Sequence, residues 1–304
     1  MSKKTLYFLG ILGTILIGTL LYNIFCCNCT TIEETPSTKP MLTDNNGMGD
    51  YNIFNLSGND LNYTCHDNFR FLKDGYKNLQ PINDSINTGI GMLKTYFNSN
   101  PNDKIIITGY ALSSEKNTSA FPNLALARAN DIKTYFISKG IPSNRFETKG
   151  ELRDIWKMSN DTILGAADFR MMLGEEIVKE KAVDWVALKT KINANPLILY
   201  FQTGQSDINL SVEERQKVAD LVKYLDNVNQ AKLSAVGHTD AAGNRAKNVE
   251  LGLERANFAK SYLTKNGVAS DKIDTSSKGP DEPIADNNTQ EGKSKNRRTV
   301  VTIK

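Results

Sequence analysis

The chain repeats itself, and the repeat limits what it can fold into. KIIITGY (Lys104–Tyr110) parallels KLSAVGH (Lys232–His238) at an offset of 128. ARANDIKTYFISKGI (Ala127–Ile141) parallels ERANFAKSYLTKNGV (Glu254–Val268) at an offset of 127, so the loop between the paired segments has shifted by one residue. A repeat of this length is a duplicated domain, not a solenoid unit. In this alignment Arg128 matches Arg255, Gly140 matches Gly267, Gly150 falls near the place of Gly279, and Arg170 echoes Arg298.

The second copy is the more explicit. A β-type run (Leu233, Ala235, Val236) stops at Gly237, a polar loop follows from His238 to Gly243, and a helix then carries Asn248, Leu251 and Arg255. An acid thus sits at a strand exit and a base on the next helix. A strand–loop–helix path can bring Asp240 and Arg255 to one pocket, and one negative and one positive head suit a zwitterionic ligand. Upstream, Pro196–Phe201 is β-rich and Gln202–Ser206 reads as a loop. Ser211 and Glu214 form a capping-box pattern, and Val218, Leu221, Val222 and Leu225 follow helical spacing. Downstream, Gly267 ends the second helix, Lys272–Ser276 can form a strand, Pro280–Lys295 reads as a polar loop, and Arg298–Ile303 reads as a last, β-branched strand. Strands alternating with helices predict a helix layer on one sheet, an α+β arrangement.

The string Gly237-His238-Thr239-Asp240, Gly243, Asn248, Leu251-Gly252, Arg255-Ala256 and Asn296-Arg297-Arg298, with Pro283 and Gly292 between, resembles the OmpA-like peptidoglycan-binding domain over about residues 195–304. The resemblance implies a mixed βαβαβ sheet and a ligand, the diaminopimelate of peptidoglycan stem peptides, that carries both ammonium and carboxylate groups. Asp240 would accept hydrogen bonds from the ammonium, and Arg255 would hold the carboxylate in its planar fork. Thr239 and Asn248 would position these groups or bond the ligand, and Arg298 would line or brace the pocket. Read without the resemblance, Asp240 caps its own turn and Arg255 is a solvated helix residue. No catalytic residue, cofactor or metal site is expected: His238 lacks a nucleophile motif, a second carboxylate or a metal cluster beside it, and reads as a packed histidine.

The first copy departs where the chemistry lies. Leu112 takes the place of Asp240, and Phe121 falls where Asn248 should be. The loop GYALSSEKNTSAFPN holds a single acid, Glu115. Residues 51–176 therefore read as an OmpA-like domain that has lost this binding chemistry and serves as a spacer or binds something else.

The N-terminus predicts how the chain is held. Thr5–Phe25 carries no charge over 21 residues, enough for a helix of about 30 Å that crosses a bilayer core. Lys3 and Lys4 keep residues 1–4 in the cytoplasm and send the rest outward. The rivals are a cleavable signal peptide and lipoprotein processing at Cys26, which would give an outer-membrane-associated lipoprotein, although Phe25 is bulky where that signal wants a small residue. Cys26, Cys27 and Cys29 are too few for a zinc site and read as thiols or disulfides of an oxidising compartment. Residues 26–50 form a linker whose polar stretch, Thr30–Asp50, is about 25 Å across as a relaxed coil.

The net charge of +3 is too small to call for nucleic acid. Lys293, Lys295, Arg297 and Arg298 have no aromatic platform and read as a solvated edge, and Trp156 and Trp185 read as core. The expectation is two tandem OmpA-like βαβαβ sandwich domains (51–176 and 195–304, joined by a connector at 177–194) after an N-terminal transmembrane helix. Such a protein would be a single-pass, periplasm-facing tether in a Gram-negative envelope, with peptidoglycan and the membrane as partners, and envelope proteins or a second copy of itself as further ones. It would not be an enzyme. A motor-stator role is a rival, weakened because Thr5–Phe25 has no ion-binding acid; a secretion-system scaffold is another.

Overall fold

The computed structural model describes residues 52–174, 183–201 and 210–304. The expected anchor at 5–25, the residues before it, the linker and its cysteines lie outside the described residues. Among the described residues no helix is long and apolar enough to cross a membrane.

The first half opens with a hairpin of β1 (Phe54–Ser57) and β2 (Asn62–Cys65), then the short β3 (Phe71–Leu72). Helix α1 (Asp84–Ser99) leads to β4 (Lys104–Leu112), helix α2 (Leu124–Ser138) and β5 (Phe146–Arg153). The short β6 (Met158–Ser159) and β7 (Thr162–Ile163) precede β8 (Ala167–Met172). Strand β4 is central: it pairs parallel with β5, across the α2 connection, and antiparallel with β8. The order is β5-β4-β8, and β3, β7 and β6 make a small separate ribbon.

The second half begins with helix α3 (Trp185–Ala194) and β9 (Leu197–Tyr200), followed by α4 (Val212–Asn227), β10 (Leu233–His238) and α5 (Arg245–Lys265). It closes with β11 (Ile273–Gly279), the short α6 (Gln290–Asn296) and β12 (Arg298–Ile303). The sheet order is β11-β10-β12-β9, with β10 parallel to β11 and antiparallel to β12. The central three strands are thus connected as in the first half. Helices α2 and α5 both end on glycines with left-handed backbone, Gly140 at φ 90° and Gly267 at φ 97°, where a side chain would strain the turn.

Local chemistry explains the boundaries. Ser211 and Glu214 form the expected capping box at the start of α4. Val218, Leu221, Val222 and Leu225 then face the core, against Leu233 and Ala235 of β10 and Val301 and Ile303 of β12. The polar stretch 280–295 is not loop throughout, because Thr289 accepts from Gly292 N and starts α6. The stretch read as a connector contains α3, which buries Ile192, sets Trp185 against Tyr224 and bonds Asn193 to both backbone groups of Ile303.

The register corrects two expected equivalences. Gly109 faces Gly150 as Gly237 faces Ser277, so Gly150 takes the rung of Ser277 and not that of Gly279. Ile106 faces Arg170 as Ser234 faces Thr302, so Arg170 stands at the place of Thr302 and does not echo Arg298.

The first core is aromatic. Phe136 and Phe169 stack with centroids 5.8 Å apart, and Phe54 meets Phe169 edge-on at 4.8 Å. Trp156 stacks on Tyr110 at 4.6 Å, so both tryptophans pack as core neighbours. The two halves touch. Ala120, Phe121 and Ala127 of the first half belong to the second half's apolar core. Lys133, nearly fully buried, pairs with Asp226 at 2.5 Å, and Ala120 N donates to Asn266 Oδ1.

Candidate functional site

The site forms where β10 runs out. A Cβ built on Gly237 would lie 1.8 Å from Gly252 O. Only glycine at this point lets α5 lie so close to the strand, and the close approach brings Arg255 over the strand end. Its Nη1 donates to His238 O at 3.0 Å, its guanidinium lies 5.6 Å from the Phe201 ring centroid, and the residue is buried. Burial, and then the nearby Arg297, hold the Arg255 pKa below the usual arginine value, while Asp240 acts in the opposite direction. Both Arg297 and Asp240 are therefore within its field. The Arg255 guanidinium makes no other hydrogen bond among the described residues.

The loop after His238 is held by its own residues. Thr239 N donates to Gly279 O, and Thr239 Oγ1 donates to Asp240 O. Asn248, on the first turn of α5, donates to Ala242 O at 2.9 Å and Asp240 O at 3.4 Å. Thr239 and Asn248 thus position the loop. Asp240 Oδ1 accepts from Ala242 N at 3.1 Å, which is the turn-capping bond the residue type favours. Its Oδ2 accepts from Arg297 Nη1 at 3.0 Å.

Arg297, expected on a solvated basic edge, is instead largely buried beside the loop. Its side chain is 15% exposed and pairs with Asp240 at 16%. The available signal was the pairing of the last strand: Thr299 faces Gly237 across β10 and β12, so residue 297 lies just past the strand end, beside the loop. Arg298 is brought to the periphery. It is buried and donates to Glu282 O at 3.1 Å and Asn296 O at 3.5 Å, which braces the segment before α6. His238 is buried, and its Nδ1 has no hydrogen-bond partner among the described residues. Burial, followed by the charge of Arg298, pushes its pKa down to about 4, so the ring is neutral at pH 7. No cluster of three or more potential metal ligands occurs among the described residues.

Two cations, Arg255 and Arg297, and one carboxylate, Asp240, thus gather at the end of a central strand in a mixed α+β domain. Residues 200–297 match the OmpA family, so the chain carries an OmpA-family domain there. Among curated proteins, the chain is 34% identical over 103 residues to the peptidoglycan-associated lipoprotein of Buchnera aphidicola, which covers 34% of this chain and 58% of that protein. It is 36% identical over 118 residues to the peptidoglycan-binding protein ArfA of Mycobacterium tuberculosis, covering 38% of this chain and 35% of that one. The chain thus spans less than two thirds of either relative. Among solved structures it is similar to the peptidoglycan-associated lipoprotein of Burkholderia pseudomallei, with TM-score 0.32 and 22% identity over 35% of this chain and 89% of that one.

Proposed function

We propose that the second half binds peptidoglycan non-covalently, through the diaminopimelate of its stem peptides, and that the N-terminal segment 5–25 ties this grip to a membrane of the envelope. The first half is read as a second copy of the same domain type with its binding chemistry lost. The protein is then a tether, with binding rather than catalysis as its activity.

The observation that carries this reading is the state of Arg255. It is a buried guanidinium that makes one hydrogen bond among the described residues and has donors left over. Its remaining N–H groups are not among the buried atoms without a partner, so they open to solvent, and a ligand carboxylate can accept from them in a fork geometry that lysine does not reproduce. The ligand's ammonium goes to Asp240. A carboxylate offers about four lone-pair sites, and Ala242 and Arg297 occupy two of them. A hydrogen bond to a charged group nets ~1.5–3 kcal/mol. Two charged anchors against the cost of association therefore give roughly micromolar affinity. A repeating wall ligand and a membrane-tied domain raise the effective concentration.

The test is co-sedimentation of the purified chain with peptidoglycan sacculi, beside Asp240→Ala and Arg255→Ala, with folding checked by circular dichroism. The wild type is expected in the pellet and released by free diaminopimelate, while both folded variants stay in solution. A wild type that stays in solution removes this reading and leaves the second half as a docking module for other envelope proteins.

A further inference from the structure

The first half contains the same frame, and there it is full. Arg128 is fully buried, and its Nη1 donates to Tyr110 O at 2.9 Å. Tyr110 is the repeat partner of His238, so this bond is the counterpart of the one from Arg255 to His238 O. Arg128 lies 5.1 Å from the Phe71 ring centroid, as Arg255 lies beside Phe201. The difference is a carboxylate. Glu115 meets Arg128 in a two-armed contact, Nη2 to Oε1 at 2.5 Å and Nη1 to Oε2 at 3.1 Å. Gly75 O and Leu72 O accept the remaining N–H groups of Arg128, so all the donors of a guanidinium are used. Glu115 itself accepts from Leu112 N at 2.7 Å and from Asp74 N at 2.9 Å. Leu112 occupies the place of Asp240.

We propose that the first half retains a small-carboxylate site of the same design, and that Glu115 fills it in cis where a ligand would otherwise sit. A carboxylate held by a guanidinium fork and two backbone N–H groups is a complete binding site, not a surface ion pair. Its occupation has a structural result. The loop after Glu115 is tied down: Asp74 accepts from Lys116 N, and Thr118 Oγ1 donates to Asp74 O. Ala120 and Phe121 are then delivered into the second half's core. Helix α2 also starts more than a turn later in the repeat frame than α5, and the freed residues form this loop. The frame that takes a ligand in one half, on the reading proposed above, thus holds the joint between halves in the other. The Glu115–Arg128 geometry stands whether or not the second half binds a ligand.

Glu115→Ala removes a –CH2–COO⁻ group, which is the size of acetate, and this makes the site testable by chemical rescue in the full chain. Glu115→Ala is expected to melt several degrees below the wild type in chloride and to regain most of that loss in acetate at equal ionic strength. Acetate should not raise the melting temperature of the wild type or of Glu115→Ala/Arg128→Met. A variant as stable as the wild type, or one that acetate helps no more than chloride does, overturns the proposal. If Glu115→Ala does not fold, Glu115→Gln is read by amide hydrogen exchange: the Leu112 and Asp74 amides should exchange at least about tenfold faster than in the wild type, and unchanged protection at both overturns it.

Discussion

Arg297 pairs with Asp240, and on the proposed reading it orients that carboxylate for the ligand. The pair is mostly buried, so it is worth more than an exposed ion pair yet less than its bare Coulomb attraction, roughly 1 kcal/mol. Arg297→Met should lower stability by about that amount and weaken sacculus binding several-fold, because Asp240 then has only Ala242 N to fix its direction. A titration of co-sedimentation against sacculus concentration checks this, and tighter binding would mean that Arg297 competes with the ligand. His238 makes a separate, pH-dependent contribution. Its folded pKa of about 4 lies below the ordinary value of 6.5, so its contribution to stability is complete above pH 6.5 and is lost as pH falls toward 4. After burial, Arg298 disfavours the charged ring, Glu282 favours it, and Lys278 disfavours it to a smaller extent. The shift corresponds to at most about 3 kcal/mol. His238→Asn should flatten the fall in melting temperature between pH 7 and pH 4.5, measured by thermal unfolding.

The elements that place these residues depend on two close approaches. A Cβ on Gly237 would meet Gly252 O at 1.8 Å, and one on Gly109 would meet Ala125 O at 2.2 Å, so both halves press a helix onto a central strand through a glycine at the same point of the repeat. Neither neighbour is a flexible side-chain end. Gly237→Ala is therefore expected to cost about 3 kcal/mol or more and to displace Arg255 from His238 O. Gly91, on α1 with nothing within 4 Å of its built Cβ, is the control: Gly91→Ala should gain about 0.5–1 kcal/mol. Thermal unfolding of the two variants reads both signs. The strands, the capping box and the glycine stops were legible in the sequence because each rests on local periodicity or backbone chemistry. So was the placement of Asp240 on the loop and Arg255 on the helix after it, which needs only one strand–loop–helix path. Arg297 was not, since its approach to Asp240 depends on the pairing of strands 60 residues apart in the chain. Helix α6 was hidden in a polar stretch whose helical signal is a single threonine cap. The partner of Arg128 was missed for a similar reason: Glu115 occupies no aligned position, and only the fold of its loop carries it there.

At the scale of the whole molecule, the halves are joined by a hydrophobic insertion and a buried charge. Phe121 is 2% exposed and sits among second-half residues. Lys133 bonds Asn130 Oδ1 within the first half and Asp226 Oδ2 in the second, and Ser143 Oγ adds a bond to Asp226 O. Truncating a buried phenylalanine costs about 3–5 kcal/mol, and here the loss falls on the joint and not on either sheet. The chain contains two tryptophans, with Trp156 packed in the first half and Trp185 in the second. Trp156→Phe and Trp185→Phe therefore leave one fluorescent reporter per half. In an otherwise wild-type background the two reporters should give coincident urea transitions, because neither half loses its partner without exposing Phe121 and Lys133. With Phe121→Ala added, the Trp185 transition should move to lower urea and separate from that of Trp156, since the second half loses the side chain that completes its core while the first keeps its aromatic cluster. Coincident transitions in the Phe121→Ala background would mean that the charged contacts alone couple the halves, and Lys133→Met would then be the substitution that separates them.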